Sequence, residues 1–568
     1  MTSSSEVTIP TTDPTIPAPP DFPVEWADPD DERLFWVREV IHYPDQMTRL
    51  QETTWAETWL QGWYAAARAY DLPVVGPREL LVNTYLYTSM APVIASPEEL
   101  EARGRRAHQK LGEATAGLGD LWDRAWLPEA NAHLAFMESF DLRGASIPEL
   151  RSYLEEVLDR FKRLAEIHFL VNFPMSIVLS EFDELYRDLF EGAGPFDSYR
   201  LLQGFDNRTM QSGRALWAVS RKALESPEVH RILEVTPAAN VRSSLESFGA
   251  GGVFLAALDA FLAEFGRRSD RWGLECPSWR EDPSSVIKNV KDYLDQPDRD
   301  LASHLAPLVE ERERLVTQAR DRLTGYPRPV VDRFEQALEM AQKAIVLSED
   351  HSFVLEFPVI YHIRQAYLEF GRRFVEVGSM ERPEDVFHLT LAELRDTADG
   401  NPPLDRRRIA RERREEWDRF RDVTPPPALG TRPSGPPPNN TLSHAMSKVF
   451  GVPARQHGDP RLLVGNAGSP GKARGVARVV HRLADAGRLH PGEILVTETT
   501  ASPWTPLFAT VGAVVTDSGG VLSHSAVVAR EYRIPAVVGV GVATTSIKDG
   551  QVLEVDGDAG TVRIVSIS

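Results

Sequence analysis

The stretch VTDSGGVLSHSAVVAREYRIPAVVG, residues 515–539, decides how this chain is read. A β-branched run ends at Asp517, Gly519 and Gly520 make a turn where backbone can approach a ligand closely, and Ser523 is a natural N-cap for a helix running to Tyr532. That order puts His524 at a helix N-terminus. Unpaired N–H groups and the positive end of the helix dipole favour an anion on the ring there, and a phosphoryl group is what a neutral imidazole acquires by attacking phosphorus. Thr516 and Ser523 are candidates to orient the ring or donate to phosphate oxygens, Arg530 to offset charge, and Gly519 with Gly520 to form a phosphate loop. The expectation is a phosphoryl carrier at His524.

Outward from this segment, residues 441–568 read as short β-type runs divided by turns: 476–480, 493–497, 513–517, 536–540, 552–556 and 561–565. They predict a small α/β domain. Before it, VTPPPALGTRPSGPPPNN, residues 423–440, holds seven prolines in eighteen residues. Proline locks φ and removes a donor, so the stretch is expected to be a semi-rigid linker with a reach of roughly 50 Å at polyproline rise. Residues 25–422 read as helices; Leu150, Leu154, Val157, Leu158, Phe161 and Leu164 form one stripe, 330–346 another, and strand signals are scarce. Residues 1–24, rich in Ser, Thr and Pro, are expected to be a disordered arm. The charged run at 404–423 mixes signs at helical offsets and suits a solvated helix. The fold class expected is multidomain: a large all-α acceptor-binding domain, then a small α/β domain bearing the histidine.

Composition narrows the function. A chain of 568 residues exceeds one hydrophobic core, and a net charge of −20, from 83 acidic against 63 basic residues, opposes a phosphate backbone and argues against nucleic acid. The lone cysteine, Cys276, excludes intrachain disulfides and cysteine-built metal clusters, and suits a reducing compartment. With no apolar run of about 18 residues and no signal-like N-terminus, the expectation is a cytoplasmic protein without a membrane partner.

The 515–539 segment resembles the swivelling phosphohistidine domain of the PEP-utilising enzymes, whose loop reads Gly-Gly-x-x-Ser-His followed by Ala-Arg-Glu and Ile-Pro-Ala. GSPGKARG (468–475), PGEILV (491–496), SPWTP (502–506), and DGQ (549–551) through VDG (555–557) resemble that family's further landmarks in order. LLQGF (201–205), FGRR (265–268), PSW (277–279), FGRR (370–373) and RPEDVFHL (382–389) resemble the helical domain of the rifampicin phosphotransferases, which holds the acceptor. The βα alternation of an ATP-grasp domain or TIM barrel is not visible before residue 423, nor is a Walker-type loop. The arrangement resembles the histidine-bearing subunit of the two-component phenol dikinases, phenylphosphate synthase and 4-hydroxyacetophenone dikinase among them. That resemblance implies a separate ATP-grasp subunit that binds ATP and Mg²⁺, transfer of the β-phosphoryl to His524, and onward transfer to a small phenolic acceptor of aromatic catabolism. It implies no cofactor held tightly by this chain and no metal on it.

A phenolic acceptor needs a base for its proton and cations for phosphoryl oxygens. His351, His362 and His168 are candidate bases; Arg364, Arg372 and Arg373 are candidate clamps. Trp55, Trp59, Trp63, Tyr64 and Tyr70 offer aromatic surface. Two alternatives stand beside the phenol reading: a rifampicin-type antibiotic O-phosphotransferase split over two chains, and a non-catalytic phosphocarrier. On each, His524→Ala is expected to abolish phosphoryl capture and turnover while circular dichroism shows both domains folded.

Overall fold

The computed structural model describes residues 15–248, 251–296, 301, 303–400, 404–433, 440–452 and 458–566. Its backbone is the helix Ile147–Leu189, 43 residues long. Ser146 and Glu149 start it with a capping box: the Ser146 hydroxyl accepts from the Glu149 N–H at 3.4 Å, and the Glu149 carboxylate accepts from the Ser146 N–H at 2.7 Å. The stripe from Leu150 to Leu164 is fully buried, as its 3.6-residue spacing requires. Helices Trp59–Ala69, Arg328–Asp350 and Phe357–Glu376 pack around it. Among the described residues no helix is long and apolar enough to cross a membrane.

The helical region also contains a sheet that the sequence reading omits. Strands β1 (Thr15–Ile16), β2 (Phe35–Arg38), β3 (Val74–Val82), β4 (Tyr85–Pro92) and β5 (Ala428–Thr431) form an antiparallel sheet in the order β1-β5-β2-β4-β3. Asn83 and Thr84, at φ +48° and +71°, make the tight β3–β4 turn, whose twist matches the flanking strands. Gly76 and Pro77 interrupt the alternation in β3, which is tolerable because β3 is an edge strand.

This sheet corrects both proline-rich expectations. Residues 15–24 are not a disordered arm: Thr15 pairs with Thr431, and Phe22 is wholly buried, its ring 6.1 Å from those of Tyr85 and Phe420. The linker does not run free from 423 either, since 428–431 is a strand and the Tyr87 hydroxyl donates to Pro426 O at 2.8 Å. Both segments are ordered by partners some 400 positions away, and burying a Phe contributes about 1.5–3 kcal/mol that no local window records. The remainder of the expected arm, residues 1–14, and of the expected linker, residues 434–439, lies outside the described residues.

Beyond the linker, eight strands form one mixed sheet in the order β6-β13-β12-β8-β9-β10-β11-β7. They are β6 (Leu462–Val464), β7 (Asn466–Ser469), β8 (Lys472–Val479), β9 (Ile494–Thr497), β10 (Ala513–Thr516), β11 (Ala536–Val538), β12 (Val552–Asp556) and β13 (Thr561–Ser566). The central β8 to β11 are parallel, and β9, β10 and β11 are buried along their whole length, as a parallel sheet covered on both faces demands. The helix His524–Glu531 crosses from β10 to β11, so His524 stands just beyond the carboxyl end of a central strand.

This domain is docked on the helical region. Leu507 and Phe508 share one apolar core with Leu216 and Val219, while Leu522 and Val527 join the core around the long helix. Polar contacts set the register: Arg533 pairs with Glu311 at 3.1 Å, and the buried Glu531 carboxylate accepts from Gly204 N–H at 3.1 Å. Burial raises Glu531 to about 7 against an ordinary 4.5, with the Gly204 N–H and Arg530 opposing the rise. A carboxyl whose folded pKa is raised contributes stability below its unfolded pKa and loses it as pH rises through the folded one. Glu531→Gln is therefore expected to match the parent near pH 4 and to exceed it by up to ~3 kcal/mol near pH 8, measured by thermal and urea unfolding at both pH values.

Candidate functional site

The loop before His524 is built against the helix Thr441–Phe450, which Asn440 caps by accepting from Ser443 N–H at 2.9 Å. A helix end leaves carbonyls unpaired. Here Lys448 O, Val449 O and Phe450 O accept from the N–H groups of Leu522, Gly520 and Gly519 at 2.7, 2.9 and 3.1 Å. A side chain at either glycine would block this: a Cβ on Gly520 would lie 2.3 Å from Lys448 O, and Gly519 sits at φ +108° with Ser523 Oγ 2.8 Å from its Cβ position. The two glycines thus join loop to helix, with their N–H groups engaged there rather than presented to a phosphate. Lys448 carries the joint onward through Asp183 on the long helix, Nζ to Oδ2 at 3.0 Å.

Ser523 caps the His524 helix, Oγ accepting from Ala526 N–H at 3.4 Å. Thr516 turns inward instead of toward the ring, its hydroxyl donating to Ser518 O at 2.7 Å. Arg530 is buried and braces the loop, Nη1 donating to Gly468 O and Val521 O at 2.7 and 2.8 Å while the guanidinium lies over the Tyr199 ring. Its burial lowers it to about 10.

The ring of His524 is held from both sides. Nδ1 faces Glu349 Oε2 at 3.2 Å, and Nε2 faces Thr505 Oγ1 at 3.5 Å. The Glu349 contact is an ion-pair distance without hydrogen-bond alignment, so its hold on the ring is electrostatic. Glu349 is itself buried; burial pushes its carboxyl up, yet the imidazole beside it holds it net low. A carboxylate at Nδ1 favours the proton on that nitrogen and leaves Nε2 with the lone pair. Removing the ring would strand this buried carboxylate, so His524→Ala is expected to weaken docking.

His524 opens onto a cavity of about 780 Å³ between the two regions. One wall is aromatic, with Trp59 against Phe169 at 5.0 Å and Trp63 against Phe173 at 5.6 Å. Another is polar: His168 from the long helix, with His351 and Glu356 from the break between the helices Arg328–Asp350 and Phe357–Glu376. His168 Nδ1 and His351 Nε2 lie 2.7 and 3.5 Å from Glu356 Oε1. Burial lowers His168 to about 3, lowers His351 also, and raises Glu356 to about 7.

Of the acceptor-site candidates, His168 and His351 reach this cavity. His362 and Arg364 do not line it: His362 is buried elsewhere beside Tyr361, and Arg364 is taken by Glu281 at 3.0 Å and Leu274 O at 2.8 Å. Arg372 and Arg373 pair with Glu369. Among the described lining residues there is no Lys or Arg. Sequence reasoning missed Glu349 and Glu356. The signal was SEDHSFVLEF, 348–357, where acidic residues interrupt an apolar run that ends one helix and begins the next.

Residues 489–560 match the mobile domain of the PEP-utilising enzymes, and residues 171–349 match the fourth domain of rifampicin phosphotransferase. Chondramide synthase cmdD of Chondromyces crocatus is 42% identical over 562 residues, covering 97% of this chain and 14% of that protein. Rifampicin phosphotransferase of Bacillus subtilis is 29% identical, covering 63% of this chain and 40% of that protein. The prodigiosin synthesizing transferase PigC of Serratia marcescens is 34% identical, covering 54% and 33% respectively. The chain thus spans less than half the length of each of these relatives, none of which is named as a phenol dikinase. What the chain carries is a mobile domain of the PEP-utilising type, with His524 inside it, and a helical segment of the rifampicin phosphotransferase type that ends at Glu349.

Proposed function

We propose that this chain is a phosphotransferase that takes a phosphoryl group onto Nε2 of His524 and delivers it to a phenolic hydroxyl in the cavity. The observation that carries the reading is the position of the His524 ring, which stands at a helix N-terminus and lines an aromatic-walled cavity, with Nδ1 facing Glu349 and Nε2 facing Thr505. In the transfer, the acceptor oxygen forms a bond to phosphorus, the N–P bond breaks, and Nε2 keeps the electron pair. The polar wall of His168, His351 and Glu356 acts on the acceptor hydroxyl.

The phenolic acceptor is supported by the aromatic wall and not by the relatives, whose names specify a chondramide synthase, a rifampicin phosphotransferase and a prodigiosin synthesizing transferase. A volume of about 780 Å³ lies in the range of pockets for drug-sized ligands and suits a phenol borne on a larger skeleton. It equally favours the second reading, an antibiotic hydroxyl as acceptor. The phosphoryl donor in this proposal is ATP with Mg²⁺ on a separate ATP-grasp subunit, and AMP and phosphate leave.

Two measurements test the proposal. The purified chain mixed with Mg-ATP is expected to keep its mass, and to gain one acid-labile, base-stable phosphoryl group once an ATP-grasp partner is added; an adduct formed without any partner would overturn the two-component arrangement. Glu349→Gln is expected to slow discharge of that group by roughly 10²-fold, read in single-turnover quench experiments, because the ring loses the charge that sets its tautomer.

A further inference from the structure

We propose that His168, His351 and Glu356 form a site for a divalent transition cation, with Zn²⁺ the best match, on the cavity wall. The proposal rests on the function just given but is tested without turnover. The three ligand atoms lie within 4.8 Å of one another and all three residues are buried. Their separations of 2.7 and 3.5 Å are those of atoms about 2.1 Å from one ion at angles of roughly 80° and 115°.

The hydrogen bonding is what a ligand set requires. His351 donates from Nδ1 to Leu347 O at 2.9 Å, which leaves a lone pair on Nε2, the nitrogen facing Glu356. Neither oxygen of Glu356, a residue 1% exposed, has a hydrogen-bond partner, and neither has His168 Nδ1, which lies close to Oε1 but out of alignment. Buried carboxylates without partners are costly, and a cation at this point satisfies all three groups together.

Two imidazoles and one carboxylate suit Zn²⁺ and leave a coordination position toward the cavity. The cavity otherwise sets Glu349 and Glu356 near an incoming dianionic phosphoryl group, with no Lys or Arg among its described lining residues. The cation adds positive charge there, beside that of His42, which also lines the cavity. An acceptor hydroxyl taking the open position is acidified and loses its proton to solvent, which prepares the oxygen for the transfer described above. Positions 168, 351 and 356 lack the short spacing of a ligand motif, so the sequence alone does not mark them as a set.

The test is metal binding by the whole chain. Protein stripped with a chelator is titrated with Co²⁺, followed by visible absorption and by elemental analysis after gel filtration. The result expected is one Co²⁺ per chain, displaced by Zn²⁺, with affinity falling more than about a hundredfold in Glu356→Gln and in His351→Ala, since even outer-shell changes cost 10- to 100-fold. Binding is expected to be unchanged in His524→Ala, which separates this site from the phosphoryl carrier, and in His230→Ala, a histidine on the helix Pro227–Val235 paired with Glu234. If the parent protein binds neither Co²⁺ nor Zn²⁺ more tightly than Glu356→Gln, the proposal fails and the three groups form a proton-sharing cluster instead.

Discussion

A carboxylate removed from water determines where His524 sits. Glu349 is 5% exposed, and an unpaired charge in such a place costs several kcal/mol. Its partner, the His524 imidazole, comes from the other domain, so the docking of the two regions and the orientation of the imidazole are one event. The loop supports this from behind. Three carbonyls at the end of the Thr441–Phe450 helix accept from three N–H groups of the loop, and Lys448 fastens that helix to Asp183. A shift of the mobile domain therefore breaks several contacts together, which favours one docked position over a range of loose ones.

The same constraint shapes the chemistry of the cavity. Glu349 beside Nδ1 and Glu356 on the polar wall make it acidic, whereas a phosphoryl group brings negative charge of its own. Basic residues that look suited to offset it in sequence are engaged elsewhere: Arg364 with Glu281, Arg373 with Glu369, and Arg530 with two carbonyls of its own domain. In a large acidic protein most guanidinium groups are already consumed by ion pairs. Positive potential at the site comes from the helix terminus at His524, from His42, which burial lowers but Glu39 holds net raised, and, on the proposal above, from a cation on the His168–His351–Glu356 wall.

Docking also sets a condition on movement. The mobile domain buries Leu507, Phe508, Leu522 and Val527 in cores that belong equally to the helical region. On the proposed function, a carrier that travels to a donor site has to expose that surface again, so such a donor must offer comparable apolar area and a comparable partner for His524. The described part of the proline-rich segment helps anchor the chain rather than freeing it, since Ala428–Thr431 is held between β1 and β2.

The sequence by itself determined the elements whose causes are local. The buried stripe of the long helix, the β-type runs from 476 onward in the histidine domain and the turn, cap and helix around His524 all follow from spacing and residue type within about twenty positions, whereas the parallel pairing of β8 to β11 does not. Only the tertiary structure decided what depends on distant partners. Thr15 pairs across the chain with Thr431, Glu349 meets His524, and His168 meets Glu356. It also separated His168 and His351, which reach the cavity, from His362 and Arg364, which do not. A histidine in an apolar helix looks the same in sequence whether its ring turns toward a cavity or a core. That choice is made by which helices pack against it, and packing is a property of the whole chain.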